Sequence, residues 1–217
     1  GIAHEVRNPL NAIMVLSDAL AKDLGHNPEY EPFLTHIRAQ VDRLAVLMRD
    51  LLDLGKPIEQ FDMQRISLFE TCSTAVDIWR HDGHKRTQDI DLVPLPGAAV
   101  QIIGDARRLH QVFVNLLDNA SQHSAEGGVI QLIIDVPEEG KMCRIQVVDR
   151  GSGIPQEILV RVFEPFFFTR KGGTGLGMGI VKHIVEAHQG TVKISNNDPP
   201  PGCTVEIRLP LAEKERS

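Results

Sequence analysis

The chain has 217 residues, 42% of them hydrophobic and 24% charged, and carries a formal net charge of −6. That suits one or two ordinary globular domains and argues against a general nucleic-acid binder or a binder of anionic membranes. Its three cysteines, Cys72, Cys143 and Cys203, fit neither a disulfide framework nor a zinc pattern and point to a reducing cytosol, and no apolar run approaches the ~20 residues that span a bilayer.

Apolar residues recur at Ile2, Val6, Leu10, Ile13, Leu16 or Ser17, Leu20 and Leu24. Steps of three and four predict an amphipathic helix. It carries the stretch His4-Glu5-Val6-Arg7-Asn8-Pro9-Leu10, which places a titratable ring one turn before a helix breaker. His4 stands three residues from the first position, so the chain reads as starting inside this helix. Gly25, Asn27, Pro28 and Pro32 interrupt the pattern, and a second helix follows with Phe33, Ile37, Val41, Leu44, Met48 and Leu51 on one face. Gly55 and Pro57 end it. A two-helix hairpin cannot bury such stripes alone, so pairing with a second copy into a four-helix bundle is expected, giving a homodimer through residues 1–55.

Beyond Pro57 the pattern predicts a helix over 68–80, short strands in QDIDLV and AVQII, and a helix over 106–122. The strands VIQLIIDV and CRIQVVD follow, then a loop rich in glycine and phenylalanine, a helix near 176–188, and closing strands GTVKIS and CTVEIRL. The expected fold is α+β: the hairpin as residues 1–57, then an α/β sandwich over 58–217 with helices on one face of a sheet.

Three segments of the second part carry chemistry. In QVFVNLLDNASQH, Leu109, Val112 or Phe113, Leu116 and Ala120 form one helix face, and Gln111, Asn115, Asn119 and His123 recur every four residues on another. That polar stripe reads either as a solvated face or as a site for a hard cation, since Asn oxygens suit Mg²⁺ bound together with nucleotide phosphates. In VVDRGSGIP an apolar strand ends in Asp149, followed by Gly151 and Gly153. A buried carboxylate only accepts, so it pairs with the exocyclic amine of adenine and opposes the oxygen that guanine carries there. Gly172, Gly173, Gly175, Gly177 and Gly179 precede and open a helix, offering backbone N–H groups to phosphate. Phe163, Phe166, Phe167 and Phe168 read as an apolar hinge or as core. Thr169, Arg170 and Lys171 read as phosphate contacts or as solvated residues. His81 and His84 lack a ligand cluster and read as a solvated loop.

The order HEVRNPL, NLLDNA, DRGSGIP, FEPFF, GTGLGMG resembles the sensor histidine kinases of two-component systems over nearly the whole chain. The first domain is similar to their dimerisation and histidine phosphotransfer domain, the second to their catalytic ATP-binding domain of the Bergerat fold. The resemblance implies an ATP-dependent, autophosphorylating protein histidine kinase. His4 is implied as phosphoacceptor, Glu5 as its general base, and Asn8 as the residue that positions water for a phosphatase activity. It assigns Mg²⁺ to Asn119, with Asn115 close by, and ATP to Asn115, Asn119, His123, Asp149, Gly151, Gly153, Thr169, Gly173, Thr174, Gly175, Leu176 and Gly177. The implied partners are a second copy and the receiver domain of a response regulator, with no nucleic acid and no membrane contact from these residues. The implied place is the cytoplasm, alone or as the cytoplasmic part of a membrane-bound sensor. Phe168 and Met178 depart from the commonest family pattern without removing a required group. Rival readings are an anti-sigma-type serine kinase and an ATP-binding scaffold without catalysis.

Overall fold

The computed structural model describes residues 2–24, 27–55, 57–81, 87–93, 100–137, 140–167 and 174–213, with only the backbone for 2–11 and Asp53. Two compact units emerge: the helical hairpin of Gly1–Lys56 grouped with residues 174–176, and a larger unit built from Pro57–Phe167 and Gly177–Ser217.

The hairpin consists of α1 (Ile2–Leu24) and α2 (Glu31–Leu54). Pro32 lies inside the first turn of α2, where a missing N–H leaves no intrahelical bond unmade. Between Leu16 and Ser17, the inward position falls to Ser17, which is buried while Leu16 is 63% exposed. Leu34 and Val41 of α2 are buried, but Phe33 is 67% exposed and Leu44 52%. Ile13, Leu20, Ile37 and Leu51 are exposed as well. A single hairpin therefore leaves much of its apolar stripe against water. The Arg38–Asp18 pair links the two helices at 3.0 Å, but both side chains are more than half exposed, so it adds little.

The larger unit opens with a single 3₁₀ turn (Ile58–Gln60), then β1 (Gln64–Ser67), α3 (Leu68–His81), β2 (Asp89–Val93), β3 (Gln101–Gly104) and α4 (Ala106–His123). It continues through β4 (Val129–Asp135), β5 (Met142–Val148), a one-turn α5 (Gln156–Leu159), α6 (Gly177–Ala187), β6 (Thr191–Asn196) and β7 (Cys203–Pro210). Five strands form a mixed sheet in the order β2-β4-β5-β7-β6, with β2 parallel to β4 and the other pairs antiparallel. The expected strand AVQII lies outside this sheet: β3 pairs antiparallel with β1 in a separate ribbon. One sheet face is apolar. Ile130, Leu132 and Ile134 of β4, Cys143, Ile145 and Val147 of β5, and Val205, Ile207 and Leu209 of β7 are buried, while the alternate residues of β4 and β5 are half-buried or exposed. Helices α3, α4 and α6 pack together, with α4 against β4 and β5 and α6 against β6. Trp79 of α3 is 2% exposed, and its indole N–H donates to Asp118 of α4 at 2.9 Å.

A buried polar knot ties the start of this unit to its core. Asp105 caps α4: Oδ1 accepts from the N–H of Arg108 at 3.1 Å and Oδ2 from the N–H of Asp62 at 3.1 Å. The Asp105 N–H donates to Nε2 of His188 at 2.9 Å, and Nδ1 of that ring donates to the carbonyl of Ile184 at 2.7 Å. This fixes the neutral tautomer with the proton on Nδ1. Phe61 closes the knot, its ring 5.9 Å from that of His188 and 5.5 Å from the guanidinium carbon of Arg108.

Candidate functional site

Helix α4 supplies one wall. Leu109, Val112, Phe113, Leu116, Leu117 and Ala120 are buried, as their spacing demands. Gln111, Asn115 and Asn119 are half-buried on the other face, and His123 at the C-terminal end is exposed. The stripe is thus neither sunk in the core nor fully solvated, which suits groups that share a ligand with water. The Asn115 side chain reaches α6: its Nδ2 lies 3.5 Å from the carbonyl oxygen of Gly177, the first residue of that helix. Asn115 therefore stands beside the N–H groups that α6 leaves without intrahelical partners. Thr174, Gly175 and Leu176 lead into this terminus; Leu176 is fully buried, and its N–H donates to the Thr174 hydroxyl at 3.3 Å. Thr169, Arg170, Lys171, Gly172 and Gly173, together with Phe168, lie outside the described residues, as do the side chains of His4, Glu5 and Asn8 on α1 and the whole of His84.

Strand β5 delivers Asp149, which is 8% exposed. Its Oδ1 accepts from the N–H of Gly151 at 2.8 Å and from the N–H of Cys203 at 3.1 Å. Both bonds fall on one oxygen, and Oδ2 makes none among the described residues. A carboxylate held this way presents its second oxygen as a fixed acceptor. Gly151 is dictated by space: a Cβ there would come 2.4 Å from the carbonyl oxygen of His123, so the loop after Asp149 lies directly on the end of α4. This is how one fold element brings Asp149, Gly151 and His123 together. The Cys203 thiol sits at the same place and is inert, because burial, helped by the charge of Asp149, pushes its pKa up to about 11. The phenylalanines divide. Phe163 is half-buried, Phe166 is 57% exposed, and Phe167 stacks under Arg161, whose guanidinium carbon lies 4.5 Å from the ring centre.

The donor set fits the groups that the sequence implies. Asp149 offers an acceptor to an amine, the half-buried Asn115 and Asn119 offer oxygens to a hard cation, and the start of α6 offers N–H groups to phosphate. Among the described residues no cluster of His, Cys, Asp and Glu could hold a metal, so a cation here depends on amide and phosphate oxygens. Sequence reasoning missed two residues of the site, Asn196 and Asn197 at the end of β6. Asn196 holds the backbone of Ile154 and Asn197 the carbonyl of Asp149.

This fold, with a carboxylate at the end of a strand, an asparagine-bearing helix and a helix N-terminus facing it, defines an ATPase module of the Bergerat type. The family described as "Histidine kinase-, DNA gyrase B-, and HSP90-like ATPase" matches residues 104–213, and the "His Kinase A (phospho-acceptor) domain" matches residues 1–60. Sensor histidine kinase WalK of Bacillus subtilis (strain 168) is 33% identical over 224 residues, covering 99% of this chain and 36% of WalK. The full-length ShkA structure in complex with AMPPNP shares the fold with a TM-score of 0.78 at 24% identity, over 98% of this chain and 45% of ShkA. Histidine kinase ThkA in complex with the response regulator protein TrrA gives a TM-score of 0.70 at 24% identity, over 99% of this chain and 61% of that one. The chain belongs to the sensor histidine kinases of two-component systems. It spans between about a third and a half of the length of the curated relatives it matches. No described helix is long and apolar enough to cross a membrane.

Proposed function

We propose that this chain is the catalytic part of an ATP-dependent, autophosphorylating histidine kinase. The larger unit binds ATP, and His4 of the hairpin takes its terminal phosphoryl group for delivery to an aspartate of a response-regulator receiver domain. The observation that carries the reading is the Asp149 carboxylate, with one oxygen held by two backbone N–H groups and the other left to read adenine. Asn119 and Asn115 hold Mg²⁺, and the amides that open α6, with the glycine segment before them, hold the phosphates. Bound Mg²⁺ neutralises phosphate charge, the main requirement of phosphoryl transfer besides positioning. One ring nitrogen of His4 forms the new N–P bond while the bond from that phosphorus to the ADP oxygen breaks. The other ring nitrogen gives its proton to Glu5. Asn8, one turn on, positions water for removing the phosphoryl group from the partner, and Pro9 loosens the helix ladder there. The exposed stripe of the hairpin supports a homodimer, with the boundary to the ATP-binding domain at residue 57. The need for ATP places this part of the protein in the cytoplasm.

The test is incubation with labelled ATP and Mg²⁺. An acid-labile, alkali-stable label that disappears in His4→Ala is expected. An acid-stable label would make the protein a serine kinase, and no label with intact nucleotide binding would make it a scaffold. Asp149→Asn checks the base-reading step. Its amide nitrogen would face the adenine amine, so ATP affinity should fall roughly tenfold to a hundredfold while inosine triphosphate, with an acceptor oxygen there, gains relative preference.

A further inference from the structure

We propose that Asn196 and Asn197 are the positioning residues of the purine site: from the end of β6 they hold the Asp149–Ile154 loop in the shape that aims the carboxylate. The inference rests on the reading of Asp149 as the adenine acceptor. Asn196 binds both backbone groups of a single loop residue, Ile154. Its Oδ1 accepts from the Ile154 N–H at 2.7 Å and its Nδ2 donates to the Ile154 carbonyl at 2.8 Å. This is the pairing that a neighbouring strand would make, supplied by one side chain where the strand has ended. Asn197 holds the other end of the loop. Its Nδ2 donates to the carbonyl of Asp149 at 2.7 Å and to that of Pro201 at 3.1 Å, and its Oδ1 accepts from the Thr204 hydroxyl at 2.7 Å. The same turn returns the Cys203 N–H to the Asp149 carboxylate. Gly202, at φ +109°, makes this approach feasible, since a Cβ there would stand 2.1 Å from the Asp149 carbonyl oxygen.

Four hydrogen bonds thus reach the carboxylate and its loop from the end of β6 and the turn into β7. Both asparagines reach the loop through its backbone groups, which makes them positioning residues. Asn196 is exposed and packs no core. Its loss leaves the sheet intact and frees the loop, so the effect falls on recognition of the base and not on the chemistry of the phosphoryl group.

The experiment measures dissociation constants of ATP and inosine triphosphate for the 217-residue chain, in competition with a fluorescent ATP analogue, alongside the single-turnover phosphorylation rate at saturating ATP. In Asn196→Ala and Asn197→Ala the ATP dissociation constant should rise about tenfold, with the ratio between the two nucleotides falling toward one and the saturated rate not following. Asn196→Asp keeps the acceptor for Ile154 N–H and loses the donor, so it should lie between wild type and Asn196→Ala; it serves as well if Asn197→Ala melts early by circular dichroism. Equal loss of both nucleotides, or an unaltered ratio while Asp149→Asn loses ATP, overturns the positioning role and leaves the purine reading standing. Unchanged ATP affinity in Asp149→Asn removes that reading and this inference together.

Discussion

His188 lies 3% exposed at the end of α6 with both ring nitrogens committed. Burial pushes its pKa below the ordinary 6.5, outweighing the Ile184 carbonyl and the charge of Asp105, which pull it up. A second proton on Nε2 would confront the Asp105 N–H. The folded state therefore resists a proton that the unfolded chain accepts, and its stability is complete above about pH 6.5 and lost as pH falls below it. His110, half-buried on α4, is pushed down by burial against the pull of the same Asp105, so it works in the same window. The Asp105 carboxyl acts lower. Burial raises it, but the Arg108 and Asp62 N–H groups and the Arg108 charge together hold it below 3.8, so its contribution is lost only on strong acidification. The melting temperature of the wild type should drop between pH 7 and pH 5.5, and His188→Asn should flatten part of that slope; an unaltered slope contradicts the assignment. None of this was legible in the sequence, where His188 sits 83 positions from its partner. The placement of Asp149 and Gly151 was legible, because an acid ending an apolar strand before Gly-x-Gly marks a tight turn in which the carboxylate meets the N–H groups that follow it. Asn196 and Asn197 were not, because they act on a backbone more than 40 residues away.

At the scale of elements, α4 is the member that serves both core and site. Its period was readable because seven apolar or buried positions alternate with the Asn stripe over 18 residues. The elements missed are the short ones: β1 has four residues, two of them exposed Gln64 and Arg65, and α5 has a single turn behind Pro155. Neither is long enough to display a period. The choice between Leu16 and Ser17 on α1 stayed open for a related reason: 3.6 residues per turn leaves steps of three and four equivalent until a partner helix selects one. Leu116, 1% exposed, follows Asn115 and lies on the buried face of α4. Leu116→Ala should destabilise the larger unit by about 2–5 kcal/mol in urea unfolding, because the rigid sheet beneath cannot collapse into the gap. A cost under 1 kcal/mol would mean that α4 is not held by this face.

At the scale of the whole molecule, the hairpin and the larger unit satisfy their apolar surfaces differently. The larger unit buries its own. The hairpin presents Leu16, Phe33, Leu44 and their neighbours to water, which a second copy would cover. Leu44→Glu should weaken self-association at least about tenfold in sedimentation equilibrium while leaving ATP binding to the larger unit in place. A chain that stays monomeric without the substitution would sink the dimer. The sequence holds one tryptophan, and it is Trp79, sealed between α3 and α4 with its N–H on Asp118, the residue beside Asn119. Its ultraviolet emission is therefore a built-in optical label for one half of the molecule. Denaturation followed at that wavelength will report the melting of the nucleotide-binding half alone, and the hairpin, which holds the chain's one tyrosine, Tyr30, and no tryptophan, will need the shorter-wavelength tyrosine emission or a dichroic signal to be seen.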